Sequence, residues 1–121
     1  MIITGSSDTT IEEKGSAWRD FTMLRTPDKV FVNVKGADHS EPIESHRMGP
    51  FISAYSRLYA LGDDSASASI FGDGAGSIRG SVPIAGPTDA NVGGSGNKTF
   101  GFLGCRSGEK SIPSGLDEFC A

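Results

Sequence analysis

The segment Lys29-Val30-Phe31-Val32-Asn33-Val34 constrains the fold of this chain more than any other. It is β-branched or aromatic at most positions, which predicts a strand. Its apolar residues fall on both faces, the pattern of a strand buried on both sides, as in a parallel sheet. Such a strand needs neighbours. The other early strand signal is the short apolar run Met1 to Thr4, which stops at the turn cluster Gly5-Ser6-Ser7-Asp8.

Helical signals separate and follow these strands. Thr10-Ile11-Glu12-Glu13 fits a capping box, and the helix after it places Ala17, Trp18, Phe21 and Leu24 on one face. Thr26-Pro27-Asp28 ends it. Past the buried strand, Gly36 to Pro42 reads as a polar loop. A second helix is expected from about Met48 to Leu61, burying Phe51, Tyr55 and Leu58, and Asp63-Asp64 caps a further short helix through Ile70-Phe71. The order strand, helix, strand, helix, with crossovers long enough for parallel pairing, predicts an α/β fold. Two parallel strands alone leave unpaired edges and close no core. The patterned part is therefore expected to be a piece of a larger sheet. Ile2, Ile3, Val30, Phe31 and Val32 would find their packing partners on strands outside this chain.

Glycine marks a boundary. Of the 17 glycines in 121 residues, 12 lie in residues 72–121. Residues 1–71 are expected to hold the strand–helix units, and residues 72–121 a glycine-rich, loop-like tail. Its brief strand candidates are Ser77 to Ile84 and Thr99 to Leu103. Eleven basic and fifteen acidic residues give a net charge of -4, and no window concentrates Lys and Arg. A nucleic-acid partner is excluded on that ground. No apolar run approaches the roughly 18 residues of a membrane span. The first residues carry no basic and apolar leader pattern. Cys105 and Cys120 either close a small loop in an oxidising compartment or remain free thiols. The first case implies a secreted chain, the second a cytoplasmic one.

Functional residues of open α/β sheets sit in loops at the carboxyl ends of the strands. The loop after the first strand delivers Asp8, three residues after Gly5. The loop after the second delivers His39, three residues after Gly36. Neighbouring parallel strands would hold this carboxylate and imidazole on one sheet edge, the orienting half of a Ser-His-Asp triad. The segments Ile2-Ile3-Thr4-Gly5-Ser6-Ser7-Asp8-Thr9 and Val34-Lys35-Gly36-Ala37-Asp38-His39-Ser40 resemble the last two strand–loop units of α/β-hydrolases, in the dienelactone hydrolase, cutinase and polyester hydrolase branch. There the acid follows a G-x-x-D turn and the histidine lies in a G-[AG]-x-H-x loop about thirty residues later.

The resemblance covers residues 1–71 and implies a partial α/β-hydrolase fold, with Asp8 as triad acid and His39 as triad base. It also implies carboxylic-ester hydrolysis on a small-molecule or polymer ester, with no cofactor. Secreted members of the branch carry a C-terminal disulfide, which Cys105 and Cys120 would match. The departure is the nucleophile. The family places a serine in G-x-S-x-G ahead of the acid, and only seven residues precede Asp8. Gly93-Gly94-Ser95-Gly96-Asn97 comes nearest and fails at its last position. The oxyanion-hole loop is absent too. The chain is expected to be inactive alone and to partner an N-terminal hydrolase segment, and whether Met1 is the true start is left open by the sequence. The alternative is a non-catalytic, hydrolase-derived fragment or interaction protein.

Two weaker patterns remain. Gly93 to Thr99 glances at a P-loop, but Asn97 replaces the glycine before Lys98 and no strand leads into it. Asp38, His39, Glu41, Glu44 and His46 form an acidic, histidine-containing stretch. Its spacing is not that of a zinc site, Pro42 breaks it, and no metal site is expected.

Overall fold

The chain is described by a computed structural model at residues 1–10, 16–44, 46–95 and 98–120, with the backbone alone at 43, 44 and 95. Its elements run β1 (Ile2–Gly5), α1 (Ser16–Met23), β2 (Lys29–Val34), α2 (Glu41–Glu44), α3 (Gly49–Tyr59), α4 (Ser67–Phe71), β3 (Gly93–Ser95), β4 (Lys98–Phe100) and β5 (Phe102–Cys105). The fold is mixed α/β, with two small sheets. The chain divides into two units, one of residues 1–39 with 84–121, the other of residues 40–83.

In the first unit, β2 has the double-sided burial that its composition predicts: all six of its residues are buried. β1 pairs with it in parallel, Ile2 beside Phe31 and Gly5 beside Val34. Its other edge is where the expectation fails. β5, from the glycine-rich tail, pairs with it antiparallel, Phe31 beside Leu103 and Lys29 beside Cys105. The tail is therefore not all loop. It seals the β2 edge that a two-stranded piece would leave open, so that β2 is central and β1 and β5 are the outer strands.

The tail also supplies packing partners expected to lie outside the chain. Trp18, Phe21, Phe31, Phe100, Leu103 and Cys105 form one buried cluster, with Ile2, Ala17, Leu24, Leu116, Phe119 and Cys120 packed around it. Trp18 is its hub, with ring centroids 5.2 Å from Phe21, 5.3 Å from Phe31, 4.9 Å from Phe100 and 5.1 Å from Phe119. Three of these contacts are edge-to-face, the arrangement that matches a ring's positive rim to a neighbour's negative face. The helical face read from the sequence is the one buried. The capping box expected at Thr10–Glu13 runs outside the described residues.

Lys29 shows how the cluster is closed at the end of α1. It is 2% exposed, and its Nζ donates to the carbonyl oxygens of Phe21 and Leu24, both at 3.3 Å. The ammonium sits 4.5 Å from the centre of the Phe21 ring. A cation there meets the negative end of the helix and its last carbonyls. Burial pushes its pKa below the ordinary lysine value, and Arg25 pushes it the same way.

Glycine in the tail works by close approach. A Cβ on Gly93 would stand 2.6 Å from Cε3 of Trp18, so the β3 backbone reaches the indole only because that atom is missing. β3 and β4 pair antiparallel, so the P-loop-like segment spans a hairpin, with Gly96 and Asn97 outside the described residues. Of the two tail strand candidates, the second is realised as β4 and β5, broken at Gly101. The first is a 3-10 turn at Ile78–Gly80, and only Ile84 of it bridges to Val34.

The second unit is helical. α3 packs on α4 and on the 3-10 turn Asp64–Ala66. Phe51, Ala54 and Leu58 are buried along α3, whereas Tyr55 is only partly so. Asp63 caps the turn as expected, its carboxylate accepting from the Ser65 amide. Pro42 does not break a helix; it occupies the second position of α2, where a missing N–H costs nothing.

Candidate active site

Asp8 and His39 are 31 residues apart in the chain, and their side chains meet. Asp8 Oδ2 lies 3.0 Å from His39 Nδ1. Both strand ends deliver their residues as the sequence predicts, because the two loops are tied to each other before either side chain is considered. The Ser6 amide donates to Val34 O at 3.0 Å and the Ser7 amide to Ala37 O at 2.9 Å. In return the Gly36 amide donates to Ser6 Oγ at 2.7 Å. The Asp8 amide closes its own turn on Gly5 O at 3.2 Å.

The two motif glycines have separate physical reasons. Gly36 sits at φ 75°, in the left-handed region. Gly5 is needed for space: a Cβ there would collide with the backbone carbonyl of Ala37.

Burial distinguishes the two side chains. The Asp8 side chain is 7% exposed and the His39 side chain 65%. Asp8 Oδ1 accepts from the Thr10 amide at 2.9 Å, which fixes the carboxylate and leaves Oδ2 for the ring. A carboxylate on Nδ1 selects the neutral tautomer protonated there, and the bare nitrogen is then Nε2. Among the described residues nothing hydrogen-bonds to Nε2. Such a ring can accept a proton at Nε2, and the imidazolium so formed keeps its charge beside Asp8.

The sequence missed a third residue. Asn91 lies in the tail, is 4% exposed, and holds a left-handed backbone at φ 60°. Its Nδ2 donates to Gly5 O at 3.0 Å and to Asp8 O at 3.2 Å. The one signal for it was that asparagine tolerates a positive φ better than other side-chain-bearing residues. Nothing local announced which loop it would reach.

Among the described residues no hydroxyl hydrogen-bonds to His39, and Cys105 and Cys120 are joined to each other, Cα atoms 5.5 Å apart, so neither offers a thiol. The acidic, histidine-containing stretch does not converge: no three His, Cys, Asp or Glu side chains among the described residues are placed to hold a metal ion. The side chain of Glu44 lies outside that description. No helix among those residues is long and apolar enough to cross a membrane. No protein-family model significantly matches the chain, and neither does a curated protein or a solved structure.

Proposed function

We propose that this chain supplies the acid and base of a serine hydrolase of the α/β-hydrolase type acting on carboxylic esters, with the nucleophilic serine carried by a partner segment. The observation that carries the reading is the 3.0 Å contact from buried Asp8 to Nδ1 of exposed His39. In the working enzyme Nε2 of His39 takes the serine proton as Oγ attacks the ester carbonyl. It returns that proton to the departing alkoxide, and water repeats the sequence on the acyl-enzyme. Asp8 holds the tautomer and stabilises the imidazolium. The outer edge of β1 offers backbone groups to which a partner strand can pair. A disulfide forms in an oxidising compartment, which supports a secreted enzyme.

The test joins to the chain the polypeptide encoded in frame ahead of Met1 and follows hydrolysis of p-nitrophenyl butyrate. Activity is expected, lost in His39→Ala and lowered about 10⁴-fold in kcat by Asp8→Asn, the scale of removing a triad acid. Full activity in His39→Ala, or a stop codon in frame just before Met1, overturns the reading. A second reading, a non-catalytic interaction protein, draws on one observation: the tail gives the first unit a core of its own. It predicts no ester hydrolysis with any partner segment.

A further inference from the structure

We infer that Asn91 is a positioning residue for the Asp8–His39 pair, setting the acid through the backbone of its loop; the inference rests on that pair being the functional site. Three independent observations converge on this side chain. Its amide is almost wholly buried, at 4% exposure. A single Nδ2 spans both ends of the acid's turn, donating to Gly5 O and to Asp8 O. Its backbone holds a left-handed φ of 60°, which asparagine adopts more readily than other side-chain-bearing residues and which the contacts around it fix here.

Those contacts are present. The Asn33 side chain, 0% exposed in the middle sheet strand, donates through Nδ2 to Ala90 O at 2.8 Å and so anchors the peptide just before Asn91. One turn further back, Asp89 Oδ2 accepts from the Gly86 amide at 2.7 Å. The tail segment is thus fixed to β2 on one side and to the acid's turn on the other. Gly5 O and Asp8 O bracket the four residues that set the direction of the Asp8 side chain. With the Ser6 and Ser7 amides bound to the histidine loop, both Asn91 bonds complete the frame that places Oδ2 against Nδ1. The Asn91 amide hydrogen-bonds backbone carbonyls and, among the described residues, makes no hydrogen bond to the imidazole. Its effect runs through Asp8.

The tautomer of His39 reads this directly. The chain labelled with ¹⁵N-histidine is examined at alkaline pH, where ring nitrogen shifts separate the Nδ1–H from the Nε2–H form. His46, the other histidine, serves as an internal reference. Wild type is expected to show His39 mainly as Nδ1–H, and Asp8→Asn to lose that preference. Asn91→Gly keeps the backbone free to adopt a positive φ and removes only the amide. It is expected to lose at least half of what Asp8→Asn loses, with an unchanged circular dichroism spectrum. Should that variant unfold, Asn91→Ala, which removes the amide and adds no charge, gives the same reading. An Asp8→Asn tautomer equal to wild type overturns the site itself. A shifted Asp8→Asn beside wild-type Asn91 variants overturns this inference and leaves the site standing. So does exchange of the Asn91 side-chain amide in wild type at the rate of a free primary amide.

Discussion

Gly5 carries two duties at one position: it ends β1 and lets the acid's loop lie against Ala37. Gly5→Ala puts a methyl into that carbonyl, and backbone cannot yield as a flexible side chain does. The expected cost is about 2 kcal/mol or more, the range for overpacking a tight site, read as a lower urea midpoint. An unchanged midpoint would mean the two loops are not in contact. Asp117 gives a pH test at the same scale. Its carboxylate accepts from the Ser111 amide at 2.8 Å, and that bond, with the Ser111 hydroxyl, holds its pKa below the usual range. A depressed carboxylate binds fewer protons folded than unfolded. Its contribution is therefore present above the unperturbed value of about 3.9 and lost as pH falls through the folded value. Asp63, hydrogen-bonded by Ser65 and then Arg57, and Glu118, hydrogen-bonded by Lys98, act with the same sign. Asp117→Asn should make thermal stability fall less steeply below about pH 4; an identical acid slope would remove Asp117 from that account. Asp8 and His39 were legible as residues because each follows a glycine at a strand end. Asn91 was not, since its partners lie more than eighty positions earlier in the chain.

Elements were legible wherever one segment carried its own pattern. α1 announced its buried face through Trp18 and Phe21, and β2 its double burial through an apolar run. Trp18→Ala removes the hub against which Phe21, Phe31, Phe100 and Phe119 pack. A loss of about 3–5 kcal/mol is expected, the usual cost of truncating a buried large aromatic residue, measured by denaturant unfolding. A loss under about 1 kcal/mol, the range of surface substitutions and mild core changes, would contradict its place at the centre. β5 was partly legible: a strand was expected over Thr99 to Leu103, but not its partner. Four residues broken from β4 by Gly101 carry too little local preference to choose an edge. That choice was made by β2, whose edge away from β1 takes β5 and, at Val34, the bridge to Ile84.

At the scale of the whole molecule the tail is what makes the first unit self-sufficient. The Cys105–Cys120 disulfide ties the end of β5 to the segment that carries Phe119 onto Trp18. Closing a loop of sequence separation 15 contributes about 3 kcal/mol by restricting the unfolded chain. Cys105→Ser with Cys120→Ser should lose about that much, with Phe119 the first aromatic ring released, seen as sharpened Phe119 resonances in NMR. A double variant as stable as the parent would show that the aromatic contacts alone hold the C-terminal segment.

The sequence alone determined the order β1, α1, β2, α3, the parallel pairing of β1 with β2, and the placing of Asp8 and His39 in the loops at their ends. Each of those is written in local periodicity, or in a turn a few residues long. Only the tertiary structure decided that glycine-rich residues 72–121 return to build the sheet and pack against Trp18. It also decided that Asn91 reaches the acid's loop. Those are contacts between distant segments, permitted by missing Cβ atoms, and no local pattern encodes which surface an absent atom will let approach.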